Sequence, residues 1–136
     1  MDRAIAELNN HRQSPRKVRL IAGLVRGKSV ATALSLLTFA EKKAAAPIKK
    51  LIESAVANAK NGGMNVGGLV VKEITVDAGT TLNRRRPMSR GRAFPIRKRV
   101  SRIFVALSEI APDSKEAKQA AKRTAKKAAR TEAQKS

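Results

Sequence analysis

Between Ala78 and Ser108 the chain carries nine basic side chains and no acidic one: Arg84, Arg85, Arg86, Arg90, Arg92, Arg97, Lys98, Arg99 and Arg102. The chemistry open to such a set is neutralisation of a dense anion, because guanidinium and ammonium groups pair with phosphate by charge and by hydrogen bonding. Apolar, strand-forming residues flank the set: Ile74 and Val76 lead in, and Ile103, Phe104, Val105 and Leu107 lead out. Between them lie Pro87, Gly91 and Pro95, residues that interrupt strand pairing or turn a chain. The pattern predicts a long β-hairpin rooted in a core and projecting a cationic arm. Strands of about a dozen residues would reach roughly 40 Å at ~3.3 Å per residue. A two-stranded hairpin alone is marginal in water, and its like charges repel, so an outside polyanion must order it. Nucleic acid is the commonest polyanion; a disordered basic loop without a dedicated partner is the alternative.

Other constellations are missing a necessary member. Gly27-Lys28-Ser29 resembles the end of a phosphate-binding loop, but the Gly required five residues earlier is Ala22, and the preceding element reads as a helix. His11 is the single histidine and there is no cysteine, so neither a histidine-based triad nor a Cys/His metal site can be built. The acids Asp2, Glu7, Glu41, Glu53, Glu73, Asp77, Glu109 and the three near the C-terminus (Asp113, Glu116 and Glu132) are scattered singly, which leaves no paired-carboxylate site. The expectation is a protein that is not an enzyme, with no cofactor, no metal and no small-molecule substrate.

The elements that must hold the arm follow from periodicity. Residues 3–12 read as an edge strand carrying Ile5 and Leu8. Ser14 as N-cap and Pro15 at the first helical position start a helix whose apolar stripe is Val18, Ile21, Ala22 and Val25, and Gly27 ends it. Arg16, Lys17 and Arg19 crowd its first turns. Cations there oppose the helix dipole, which favours phosphate contact over a merely solvated face. Ser29 caps a second helix with Val30, Ala33, Leu34 and Leu37 on one side. A third runs from about Glu41 to Lys60, with Pro47 kinking its first turns or marking its true start. Leu69 to Asp77 is a strand with Val70, Ile74 and Val76 on one face and Lys72 as the exception. Gly79 is placed to bulge it as it leaves the core.

The fold class is therefore α+β: three helices packed on a small three-stranded antiparallel sheet with a long protruding β-hairpin. The expected domain covers residues 1–111, including the hairpin at 78–108. Residues 112–136 are a basic tail of Ala and Lys that lacks large apolar side chains and cannot build a core. Lys and Arg number 30 against 10 acids, a formal charge of +20 over 136 residues. Residues 78–108 hold nine of these cations and no acid, so the arm is the electrostatic centre. No apolar run approaches the roughly 18 residues of a membrane span, and the N-terminus lacks the apolar core of a signal peptide, so the expectation is a cytosolic chain. With no Trp or Tyr and three Phe, binding should rest on phosphates and shape more than on aromatic platforms.

Three stretches, in order and at matching spacing, resemble one family: SPRKVRLIAGLVRGKSVATAL (14–34), KKLIESAVANA (49–59) and RRRPMSRGRAFPIRKRVSRI (84–103). The chain resembles the bacterial large-subunit ribosomal protein twenty-two family over roughly residues 3–109. That resemblance implies a structural protein of the cytoplasmic large ribosomal subunit. It implies binding to large-subunit ribosomal RNA, a part in subunit assembly, and a hairpin that lines the nascent-peptide exit tunnel. The implied RNA contacts are Arg12, Ser14, Arg16, Lys17 and Arg19 around the first helix, and the arm's nine basic residues. The implied tunnel-facing tip is Pro87, Met88, Ser89, Arg90, Gly91 and Arg92. Its partners would be ribosomal RNA, neighbouring ribosomal proteins and the nascent polypeptide, with no membrane. Arg102 stands where the family usually has His, Met88 and Ser89 where it has a more basic pair, and Asn83 where Lys is common. The tail has no counterpart in the resemblance; its Lys/Ala composition also suits a nucleoid-type DNA-binding protein, the competing reading.

Overall fold

Described here from residue 3 to residue 109, the computed structural model begins with an edge strand, β1 (Arg3–His11). Helix α1 (Pro15–Val25) follows, with Ser14 extended at the N-cap and Pro15 where its missing N–H costs nothing. Its buried residues are Val18, Ile21, Ala22 and Val25, the expected stripe. Helix α2 (Val30–Phe39) is capped by Ser29, whose side chain accepts from the Thr32 amide, and it buries Val30, Ala33 and Leu37. Helix α3 spans Ala45–Asn61, starting later than Glu41. Pro47 explains the delay: it sits in the first turn, where backbone N–H groups have no partner inside the helix.

After a short 3-10 turn (Val66–Gly68) come β2 (Leu69–Ala78), β3 (Leu82–Pro87), β4 (Ala93–Lys98) and β5 (Ser101–Glu109). The main sheet is antiparallel in the order β1-β5-β2, and β3 pairs with β4 in a separate two-stranded ribbon. All three helices pack on one face of the main sheet, α3 against β1 and β5 and α1 against β2. The α+β architecture is the expected one.

Strand phases differ from expectation at two places. In β1 the core receives Ala4 and Ala6, with Leu8 partly buried, while Ile5 is 47% exposed. Ile5 and Leu8 lie three apart on an alternating strand and cannot share a face. In β2 the buried residues are Leu69 and Val71, then Ile74 and Val76. The expectation of one face through Val70, Ile74 and Val76 therefore fails. Val71 pairs with Leu107 and Glu73 with Ala106, so Lys72 is an extra residue that switches the inward phase.

Candidate nucleic-acid interface

The arm leaves the sheet through a defined joint. Ala78 pairs with Ser101, the Gly79 amide donates to the Val100 carbonyl at 2.9 Å, and pairing resumes with Leu82 opposite Lys98. Three steps outward thus match two on the return. The extra residue falls within Thr80–Thr81, one place beyond the predicted bulge at Gly79. Gly79 itself serves close approach: a Cβ there would lie 3.2 Å from Val100 Cγ1. A bulge strengthens local twist and bends the ribbon, which re-aims the arm relative to the sheet.

Beyond the joint every residue of β3 and β4 is exposed. One face of the ribbon carries Leu82, Arg84 and Arg86 opposite Lys98, Ile96 and Phe94; the other carries Asn83, Arg85 and Pro87 opposite Arg97, Pro95 and Ala93. Each face therefore presents two or three cations. The tip closes with Met88 N–H donating to the Arg92 carbonyl at 2.8 Å. Arg90 and Gly91 have φ of 58° and 69°, the sign pattern of a type I′ hairpin turn. Glycine takes that conformation freely, whereas Arg90 takes it at a cost of ~1 kcal/mol.

At the foot of the arm the fold assembles a cleft of about 560 Å³ lined by Arg12, Gln13, Ser14, Lys17, Lys43, Leu82, Arg84, Arg97, Lys98, Arg99 and Val100. Seven of these are cations and none is acidic. They arrive from the β1–α1 junction, from the turn before α3 and from both arm strands. A groove lined this way concentrates positive potential and suits a phosphate backbone. Ser14 adds a hydroxyl that makes no cap hydrogen bond within its own helix.

The remaining candidates are placed differently. Arg16 is exposed on α1 but does not line the cleft. Arg19 directs its Nε to the Val76 carbonyl at 2.9 Å, so one donor is committed to the fold. Arg102 gives its Nε to Asn9 Oδ1 at 2.7 Å, beside the bulge in β1. Arg85, Arg86, Arg90 and Arg92 lie further out on the arm or at its tip, all exposed. Lys43 and Gln13 were not legible as site residues: nothing local marks Lys43 until the turn before α3 brings it to the arm. His11 Nε2 is 3.1 Å from Gln13 Oε1, an ordinary polar pair.

Gly27-Lys28-Ser29 has a backbone role. The Gly27 amide donates to the Val71 carbonyl at 2.9 Å and the Val71 amide donates to Lys28 O at 3.0 Å, so the α1–α2 corner pairs with the edge of β2. The Gly27 amide is therefore spent on β2, which agrees with the exclusion of a phosphate loop. Among the described residues no group of three or more His, Asp or Glu is placed to hold a metal, and no helix is long and apolar enough to cross a membrane.

The family described as ribosomal protein L22p/L17e matches residues 6–108. The chain is 49% identical over 108 residues to the large ribosomal subunit protein uL22 of Metamycoplasma arthritidis, covering 79% of this chain and 51% of that relative. It is 48% identical to the protein of the same name from Flavobacterium psychrophilum, with 79% of this chain and 81% of that one covered. For the Desulfitobacterium hafniense protein the identity is 49%, with 80% and 96% covered. The match thus spans about half the length of the first relative and most of the other two. A ribosomal-protein family agrees with the expectation of a chain that is not an enzyme. With the match spanning both the helical core and the whole arm, the chain belongs to the ribosomal protein L22p/L17e family.

Proposed function

We propose that this chain is a structural component of the large ribosomal subunit that binds large-subunit ribosomal RNA through its arm and the cleft at the arm's foot. The observation that carries the reading is the acid-free convergence of Arg12, Lys17, Lys43, Arg84, Arg97, Lys98 and Arg99 around one groove. Phosphates entering it meet cations from three separate elements, which fixes their path as well as neutralising them. The family membership and the relatives' names support the ribosomal setting.

In this reading Arg84, Arg85, Arg86, Arg90, Arg92, Arg97, Lys98, Arg99 and Arg102 contact RNA along the arm, with Arg12, Ser14, Arg16, Lys17 and Arg19 at its foot. Arg19 does so with the donors that its bond to Val76 leaves free. The turn of Pro87, Met88, Ser89, Arg90, Gly91 and Arg92 lies at the nascent-peptide tunnel wall. By bridging RNA segments between core and arm, the protein supports subunit assembly in the cytoplasm beside other ribosomal proteins. Residues 1–111 act as the binding domain and 112–136 as an accessory basic segment.

Gradient sedimentation of the tagged full chain from gently lysed cells, washed at raised salt, tests this. Stoichiometric migration with the large ribosomal subunit is expected. Migration with DNA, or release into the free pool, would overturn it.

A further inference from the structure

Phe39 ends α2 and is 85% exposed, the most exposed of the large apolar side chains among the described residues. Its position is set by the fold. Leu37, two residues earlier and 4% exposed, anchors the opposite side of the helix, because two residues turn a helix by about 200°. Ala44 and Ala45, at 1% and 3%, pin the far end of the corner that follows. The ring is thus held outward from both sides.

Its surroundings are cationic. Lys49 donates from Nζ to Thr38 Oγ1 at 3.1 Å, which holds an ammonium beside the neighbouring residue. Lys42 and Lys43 follow in the corner, with Glu41 its one acid. Lys43 also lines the cleft at the arm's foot. Lys43 comes four positions after Phe39, so their Cα atoms are at most about 15 Å apart. A solvent-facing ring thus stands at one end of a short corner whose Lys43 lines a groove that suits phosphates. Single-stranded nucleic acid is held by this combination of a basic groove for the backbone and an aromatic face for a base.

We propose that Phe39 is a stacking site for one unpaired nucleobase of the RNA whose backbone enters the adjacent cleft, with Lys42, Lys43 and Lys49 holding the flanking phosphates. This rests on the RNA-binding reading and adds to it a contact that involves no charge on the protein. Stacking on one ring is tolerant of base identity, so the site takes an unpaired residue of a loop or bulge.

The test uses the full chain and large-subunit ribosomal RNA. F39A is expected to weaken binding about 5- to 100-fold, with the slope of log K against log salt unchanged, whereas K43A lowers that slope by about one. The chain has no Trp, so F39W introduces the sole indole; RNA should quench its emission and leave affinity near the wild-type value. F39A binding as tightly as wild type, with F39W emission unaltered by bound RNA, would overturn the stacking site and leave the RNA reading standing. Failure of the wild-type chain to bind RNA in a salt-dependent way would overturn both.

Discussion

Arg19 in α1 and Arg26 at its C-cap show that a basic side chain can serve the fold as a hydrogen-bond donor. Arg26 Nη2 donates to the Ile74 carbonyl at 2.8 Å and Arg19 Nε to the Val76 carbonyl at 2.9 Å. Both acceptors belong to β2, an edge strand whose carbonyls need partners. Replacing Arg26 with Ala is expected to cost about 1 kcal/mol of stability, seen as a lower denaturant midpoint, and to leave the salt slope of RNA binding unchanged. Arg97→Ala should do the reverse, holding the midpoint and lowering the slope by about one. Exchange of these two outcomes would contradict the assignment. The charge of all three residues was legible, but a strut and a ligand look alike until the carbonyl across the interface is known. Lys43 was missed for the same reason, since the residues it meets in the cleft stand between about 25 and 60 positions from it along the chain.

Among the elements, those with local signals were legible and those set by pairing were not. Ser14-Pro15 and Ser29 announced two helix starts, and Pro47 was the mark of a third, whose start near Glu41 was placed a few residues too early. The extra residue at Lys72 left no mark in composition, because a bulge is defined by the partner strand, and Gly79 marked the one within Thr80–Thr81 only to within a place. The joint at the foot of the arm is sensitive to volume. Gly79→Ala would put its Cβ 3.2 Å from Val100 Cγ1, and we expect a loss of about 1 kcal/mol with shifted amide resonances at both Val100 and Leu82. Resonance changes limited to residue 79 and its neighbours would show that the joint yields without strain. In the core, Ile52 of α3 is 0% exposed, so Ile52→Ala should cost about 2–5 kcal/mol by thermal or chemical unfolding. A loss under about 1 kcal/mol would mean the helix does not close the sheet as described. Edge protection is shared among elements as well: the α1–α2 corner covers Val71, and Asn58 Nδ2 donates to the Ile5 carbonyl at 2.8 Å on β1.

The whole molecule divides into a packed core and an arm whose strands pair mainly with each other and meet the core only at the cleft at the arm's foot. Buried apolar residues run from Ala4 to Leu107, while β3 and β4 are exposed along their full length. The eight cations from Arg84 to Arg99, with no acid among them, predict an arm mobile in free protein and ordered on RNA. Amide relaxation should show low order parameters for 82–98 that rise on RNA binding; a rigid arm in the free chain would contradict this. The expected basic tail, 112–136, lies outside the described residues. The division between core and arm was legible from charge and turn residues, whereas the cleft between them emerged only from the way the fold sets the arm's foot beside the β1–α1 junction. Its electrostatics offer the most direct test. Binding of the full chain to large-subunit ribosomal RNA should be measured across a salt series, beside a variant with Arg84, Arg97, Lys98 and Arg99 all replaced by Ala. The account predicts that the slope of log K against log salt falls by about three to four units in the variant, with the melting temperature unchanged. An unaltered slope would show that phosphates do not enter the cleft.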